Sequence, residues 1–193
     1  MKTLQKTGIS FLIFALIASL MVTSCKKDDD NGNESISGYF SIDGTKYELS
    51  KCYISKRINN DAGHENEDNY DLVFAGESIT LTNISSMPTG NGDMFAVILT
   101  TDISEDGIES GDYVSGSDES LPSLHMDALF ITGWNSSTQT YDKEGEVTGG
   151  NIPINVTKTN STYKFDWVGT TDDGKSFIFS YSGTITLLAP HEI

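Results

Sequence analysis

The chain is poor in the residues that most chemistry needs. Only two cysteines and three histidines stand among its 193 residues. No Gly-x-Ser-x-Gly elbow occurs, so there is no hydrolase nucleophile signature. No His-Glu-x-x-His occurs either, which removes the metalloprotease pattern. Cys52 has no papain-like context around it. Positive charge is scarce too: 12 Lys and Arg face 28 Asp and Glu, a formal charge of −16. A surface of that sign repels phosphate backbones and excludes nucleic acid as a partner. Past residue 25 no segment carries a sustained helical period, and no repeat of 20–50 residues appears.

What is present begins at the N-terminus. Lys2 and Lys6 precede an apolar stretch, Gly8 to Val22, of fifteen residues. That is the length of a signal-peptide core and short of the roughly 20 residues a membrane-spanning helix needs. Val22-Thr23-Ser24-Cys25 follows at once. It resembles a bacterial lipobox, with an aliphatic residue, two small residues and then the cysteine. The resemblance implies that residues 1–24 are removed and that Cys25 carries lipid. Each buried CH₂ contributes about 0.8 kcal/mol, so two or three acyl chains give a durable anchor. Without the two lysines of residues 1–24 the charge becomes −18, which favours solubility and attracts cations. Cys52 is then the only thiol left, and the fold must rest on its core.

Residues 26–35, Lys26-Lys27-Asp28-Asp29-Asp30-Asn31-Gly32-Asn33-Glu34-Ser35, hold no apolar side chain. Residues 25–36 therefore read as a lipidated cysteine and flexible acidic tether. Lysine followed by acids just after the cysteine resembles the export signal of surface lipoproteins of the Bacteroidota. That resemblance implies an outer-membrane protein facing outward rather than into the periplasm.

Residues 37–190 read as one all-β domain. Asp43-Gly44 separates Gly38–Ile42 from Tyr47–Ile54, a hairpin signal. Tyr70–Ala75 and Ile79–Ile84 suggest a second pair across Gly76-Glu77. Met94–Leu99 is apolar on both faces, as a central covered strand would be. Asp127–Trp134 reads as another strand, Gly111–Val114 as the start of a short one, and Ser117–Met126 as room for one helical turn. In the last third Ile152, Ile154 and Val156 alternate with polar residues. So do Tyr163, Phe165 and Trp167, and then Phe177, Phe179, Tyr181, Ile185 and Leu187. Period-2 alternation places each set on one face. Asn160-Ser161 and Asp172-Asp173-Gly174 are the turns, and Gly183 allows a bend in a long last strand. The expectation is an antiparallel β-sandwich or β-barrel of about nine strands, ending in a three-stranded meander.

The opening Asp43-Gly44-Thr45-Lys46-Tyr47-Glu48-Leu49 resembles small surface lipoproteins of the Bacteroidota. So does the ending Gly149-Gly150-Asn151-Ile152, Tyr163-Lys164-Phe165, Thr171-Asp172-Asp173-Gly174-Lys175 and Tyr181-Ser182-Gly183-Thr184-Ile185. The resemblance implies the fold class and an envelope location. It brings no activity.

Several groups are candidate sites. Asp102, Ser104 and Asp106 before Gly107 space oxygen ligands as a calcium loop does. Position 12 of that loop is Tyr113 instead of a bidentate Glu, and a solvated connection is the competing reading. The acidic run Asp61 to Asp71, with His64, reads as a solvated loop between strands. Trp134, with Tyr141 near and Asn135-Ser136-Ser137 between, has the make-up of a sugar platform or of a core plug. Tyr163, Phe165, Trp167, Phe177, Phe179 and Tyr181 would line a cavity in a lipocalin-like barrel, or else fill a core. His125 reads as a packed histidine, and Cys52 as a buried inert thiol.

The expected protein is a non-catalytic β-domain on a lipid anchor at the outer membrane, binding a ligand or partner such as a glycan or an envelope protein. The alternatives are a lipocalin-like carrier of a small apolar ligand, a structural subunit of an envelope complex, and a small hydrolase. No cofactor is expected apart from the calcium reading.

Overall fold

A computed structural model of the protein describes residues 37–58, 67–102, 107–115, 123–124, 128–148 and 152–192. The described residues form strands and turns with no helix: β1 (Ser37–Ile42), β2 (Thr45–Leu49), β3 (Lys51–Ile58), β4 (Glu67–Ala75), β5 (Asn91–Asp102), β6 (Gly111–Ser115), β7 (Ser123–Leu124), β8 (Ala128–Asn135), β9 (Lys143–Thr148), β10 (Ile154–Thr159), β11 (Thr162–Thr171), β12 (Ser176–Gly183), β13 (Thr186–Leu187) and β14 (His191–Glu192). They join in one strongly curled sheet, a half-barrel. The described residues hold fourteen strands against the expected nine; three of them, β7, β13 and β14, are two-residue pairings.

The local chemistry explains the elements. Asp43 and Gly44 both take positive φ, 47° and 82°. That is the turn whose twist matches a tight hairpin, and Gly44 meets no steric cost in it. The meander forms as the alternation implies: β10 pairs β11, β11 pairs β12, and Asn160 supplies a positive φ of 55° at the first turn. β1 then adds antiparallel to the free side of β12, with Phe40 opposite Phe179.

The inward faces meet in one aromatic core. Phe74 on β4 and Phe95 on β5 are cross-strand partners. The Phe74 ring lies 4.7 Å from Phe179 and 5.1 Å from both Phe165 and Tyr181. The Phe95 ring lies 4.5 Å from Phe179. The β4–β5 wall thus packs directly on the β11–β12 wall. Cys52 is buried in the same core as a free thiol, and burial pushes its ionisation well up.

Met94–Leu99 is central and covered on both faces. Phe95, Val97 and Leu99 point into the main core. Met94 belongs to a second cluster with Ile79, Leu81, Trp134 and Leu188 on the opposite face. Residues 79–84 therefore do not form the expected strand. Only Thr80 makes a bridge, to Thr89, and Asn83 turns the chain by accepting from the Ser85 amide. The apolar residues of this loop act as a lid for the outer face of β4 and β5.

Three further expectations change. The run Tyr47–Ile54 breaks at Ser50, where the chain stops pairing with β1 and starts pairing with β4. The last strand ends at Gly183 instead of reaching Leu187, because the chain crosses over to pair parallel with β3. Ile152 lies outside β10 and is half exposed. The expected helical turn at Ser117–Met126 falls outside the described residues except for Ser123–Leu124, which is strand.

Truncating the ring at the centre of this closure tests the packing. Phe74→Ala should destabilise the domain by about 3–5 kcal/mol, read from urea unfolding. A loss below about 1 kcal/mol would show that the two walls do not close on Phe74.

Candidate functional site

The crossover from β12 to β3 leaves a groove at one end of the half-barrel. β13 pairs with Tyr53–Ile54, and the Leu188 amide donates to the Ile54 carbonyl. Pro190 has no amide to donate, and pairing resumes only at His191. Adjacent residues of an extended chain face opposite ways. Leu188 turns into the second cluster, so Leu187 is left outward at 76 % exposure. Leu187 borders a cavity of about 650 Å³ that is open to solvent. Ile54, Tyr70, Ile108, Tyr163, Ile185 and Leu187 line it. Lys56, Asn160 and Ser161 stand at the polar part of its lining.

The charges around the groove are paired. Lys56 Nζ lies 2.5 Å from Asp68 Oδ1, and the Tyr70 hydroxyl donates to Asp68 Oδ2 at 3.2 Å. Burial, then the Asp68 charge and its hydrogen bond, push the Tyr70 hydroxyl up to about 12. Lys158 Nζ sits 5.5 Å from the Tyr163 ring centroid. Asp68 and Asp71 are strand residues within β4, not part of a solvated loop as expected. They face opposite sides of β4, and each meets its own cation on β3, Asp68 with Lys56 and Asp71 with Arg57.

Beside the groove, Arg57 donates twice to Asp71, each bond 2.7 Å. His191 Nε2 lies 3.0 Å from the same carboxylate, and Nδ1 lies 2.9 Å from Ser55 Oγ. Serine, histidine and aspartate in that order suggest a hydrolytic triad. The geometry argues otherwise. Ser55 is fully buried, and its hydroxyl donates to the Ala189 carbonyl at 2.7 Å. Its one proton is committed, so Nδ1 must donate to it and cannot act as its base. The cluster clamps the C-terminal segment onto β3.

The other sequence candidates are not brought together. Ser104 and Asp106 lie outside the described residues, as do the Asp102 side chain, His64 and His125. No group of three His, Cys, Asp or Glu among the described residues is placed to hold a metal ion. Trp134 is 6 % exposed, and its indole donates to the Pro88 carbonyl. It is a plug of the second cluster and offers no face to a sugar. The reason is Gly133: its φ of 65° breaks the strand alternation, so Trp134 follows Ile131 to the outer side. Tyr141 is exposed, alone of that pair, with its hydroxyl raised chiefly by a hydrogen bond to Glu144. Of the aromatic set expected to line a cavity or fill a core, Phe165, Trp167, Phe177, Phe179 and Tyr181 fill the core, while Tyr163 is only partly buried and lines the groove.

A second hollow, about 520 Å³, lies over Tyr39, Lys46, Glu48 and Ser180, with Lys46 Nζ 4.7 Å over the Tyr39 ring. Neither hollow was foreseen. One signal was available for the groove: Leu187-Leu188 cannot both face a core from an extended chain. Compared with known protein families, curated proteins and solved structures, the chain matches none.

The raised Tyr70 hydroxyl has a consequence for stability. A phenol held above its ordinary value of 10 binds its proton more tightly in the folded state. Its contribution is complete below pH 10 and is lost as pH rises from 10 to about 12. Burial raises Tyr113 and Tyr181 in the same direction. Urea midpoints should therefore fall between pH 10 and 12, and Tyr70→Phe should make that fall shallower. An unchanged slope in the variant would show that Tyr70 ionises freely.

Proposed function

We propose that this chain is an outer-membrane lipoprotein, anchored through Cys25 and displayed at the cell surface, whose β-domain binds a ligand in the groove beside Leu187. The observation that carries the reading is a large aliphatic side chain, 76 % exposed, on the wall of an open cavity. Exposed apolar walls with a few convergent polar groups are the usual make-up of a ligand site. The filled aromatic interior supports binding at this open end in preference to a central, lipocalin-like cavity. The fully buried Ser55 supports a binding role over a hydrolytic one. A subunit reading has one observation in its favour: Val168 and Ile178 are cross-strand partners on β11 and β12, and both are exposed. The pair is small beside the groove.

The anchoring half of the reading is tested by fractionation. The wild-type protein should sediment with membranes and be cut by protease added to intact cells. Cys25→Ala should move it to the soluble fraction. A variant that stays in the membrane pellet would refute lipidation at Cys25, and protection of the wild type on intact cells would refute outward display.

A further inference from the structure

The cluster of Ser55, Asp71 and His191 needs more hydrogens than a neutral imidazole can give it. His191 Nε2 lies 3.0 Å from Asp71 Oδ2, and Nδ1 lies 2.9 Å from Ser55 Oγ. Ser55 Oγ in turn lies 2.7 Å from the Ala189 carbonyl oxygen. Each of these contacts needs a hydrogen between its two heavy atoms. The Asp71 carboxylate and the Ala189 carbonyl only accept, so neither brings one. Ser55 has one proton to give, and a neutral imidazole has one. Three contacts would thus share two protons. With the proton on Nε2, Ser55 must choose between Nδ1 and Ala189. With the proton on Nδ1, a bare Nε2 faces a carboxylate oxygen. The imidazolium supplies the missing hydrogen and satisfies every contact. Water cannot make up the difference at Ser55, which is fully buried.

The contact at stake fastens the C-terminal segment. The Leu188 amide donates to the Ile54 carbonyl, and pairing with β3 resumes only at His191–Glu192. Pro190 has no amide to donate in between. The bond from Ser55 to Ala189 ties down the residues between those two pairings. Leu187, Leu188 and Pro190 of the same segment line the groove. Arg57 on β3 and Asp71 on β4 are the charged side chains that face the imidazole among the described residues, and they are paired with each other. Lys56 turns to the opposite face, to Asp68, and Glu192 is exposed.

We infer that residues 187–192 form a proton-dependent latch on β3, fastened while His191 carries both ring protons and released at Ala189 when it loses one. Histidine ordinarily changes charge between about pH 5 and 8. The fastening is complete at the acid end of that window and is lost as pH rises through it. Release loosens the wall that Leu187 and Pro190 give the groove. That consequence for a ligand rests on the binding reading above; the latch itself does not.

The test reads the latch with no ligand present. The isotopically labelled chain of residues 25–193 carries Cys25→Ala so that it is free of lipid. Hydrogen exchange of the Leu188 amide is measured at about pH 5 and about pH 8, relative to an unstructured peptide at the same pH so that base catalysis drops out. Protection of Leu188 should fall about three- to tenfold from the lower pH to the higher, the worth of one net hydrogen bond. The Phe179 amide, in the middle of β12, should keep its protection. Imidazole nitrogen shifts of the same sample should show both His191 nitrogens protonated where Leu188 is protected and one where it is not. His191→Gln, with one donor and one acceptor to offer, should hold Leu188 at the less protected level at both pH values. The double variant His64→Gln, His125→Gln should keep the wild-type fall. Equal protection of Leu188 at both pH values in the wild type would overturn the latch. So would a fully protected Leu188 beside a singly protonated His191, or a wild-type pH dependence in His191→Gln. The nitrogen shifts come from the wild-type cluster, so they decide the matter even if His191→Gln fails to fold. A latch that fails these tests leaves the groove's ligand binding untouched, because no ligand enters the measurement.

Discussion

The contact between Phe74 and Phe95 on one side and Phe165, Phe179 and Tyr181 on the other organises the molecule. The rings in contact across the walls are more than eighty positions apart in the chain, and their centroids lie 4.5–5.1 Å apart. A twisted sheet curls until its apolar face is covered. Here the covering surface is the far part of the same sheet. Cys52 and Phe40 join the same core, so no cross-link is needed to hold the walls together. Edge-on and tilted ring contacts of this kind contribute about 0.5–1.5 kcal/mol each beyond area burial, and they set the distance between the walls.

That closure has two consequences. The interior is occupied by side chains, so a ligand has no room among Phe95, Phe177 and Phe179 without moving them. The curl is also incomplete, so one end stays open where β12 has run out and the chain returns to β3. The C-terminal segment bridges that end by short parallel pairings and by the Arg57–Asp71–His191 cluster. It covers the second cluster with Leu188 and leaves Leu187 over the groove. The open end is a product of the same constraint that fills the core.

Much of the fold was legible because it depends on local pattern. Strict alternation in Phe165–Trp167 and Phe177–Tyr181 encodes the meander, and Asp43-Gly44 encodes the first hairpin. The doubly apolar Met94–Leu99 announced a strand covered on both faces. What covers its second face was not legible, since Ile79 and Leu81 look like a strand until their partners are known. Long-range choices decided the other departures. Ser50 ends one pairing because Ala75 offers another. Leu187 fails its parity because β3 captures the chain beyond Gly183. Trp134 was open to two readings, and Gly133 decided between them through a backbone angle that no residue pattern displays. The groove draws on β3, β4, β11 and the C-terminal segment, which no spacing along the chain connects.

The claim that binding occurs at the open end and not inside the curl is tested most directly by amide chemical-shift mapping of the isotopically labelled chain with octanol as a neutral apolar probe. The account predicts that perturbed amides gather at Ile54–Lys56, Ile108, Asn160–Tyr163 and Ile185–Leu188. Perturbations centred instead on Phe95, Phe177 and Phe179 would contradict it, because they would place the ligand in an interior that the structure shows filled.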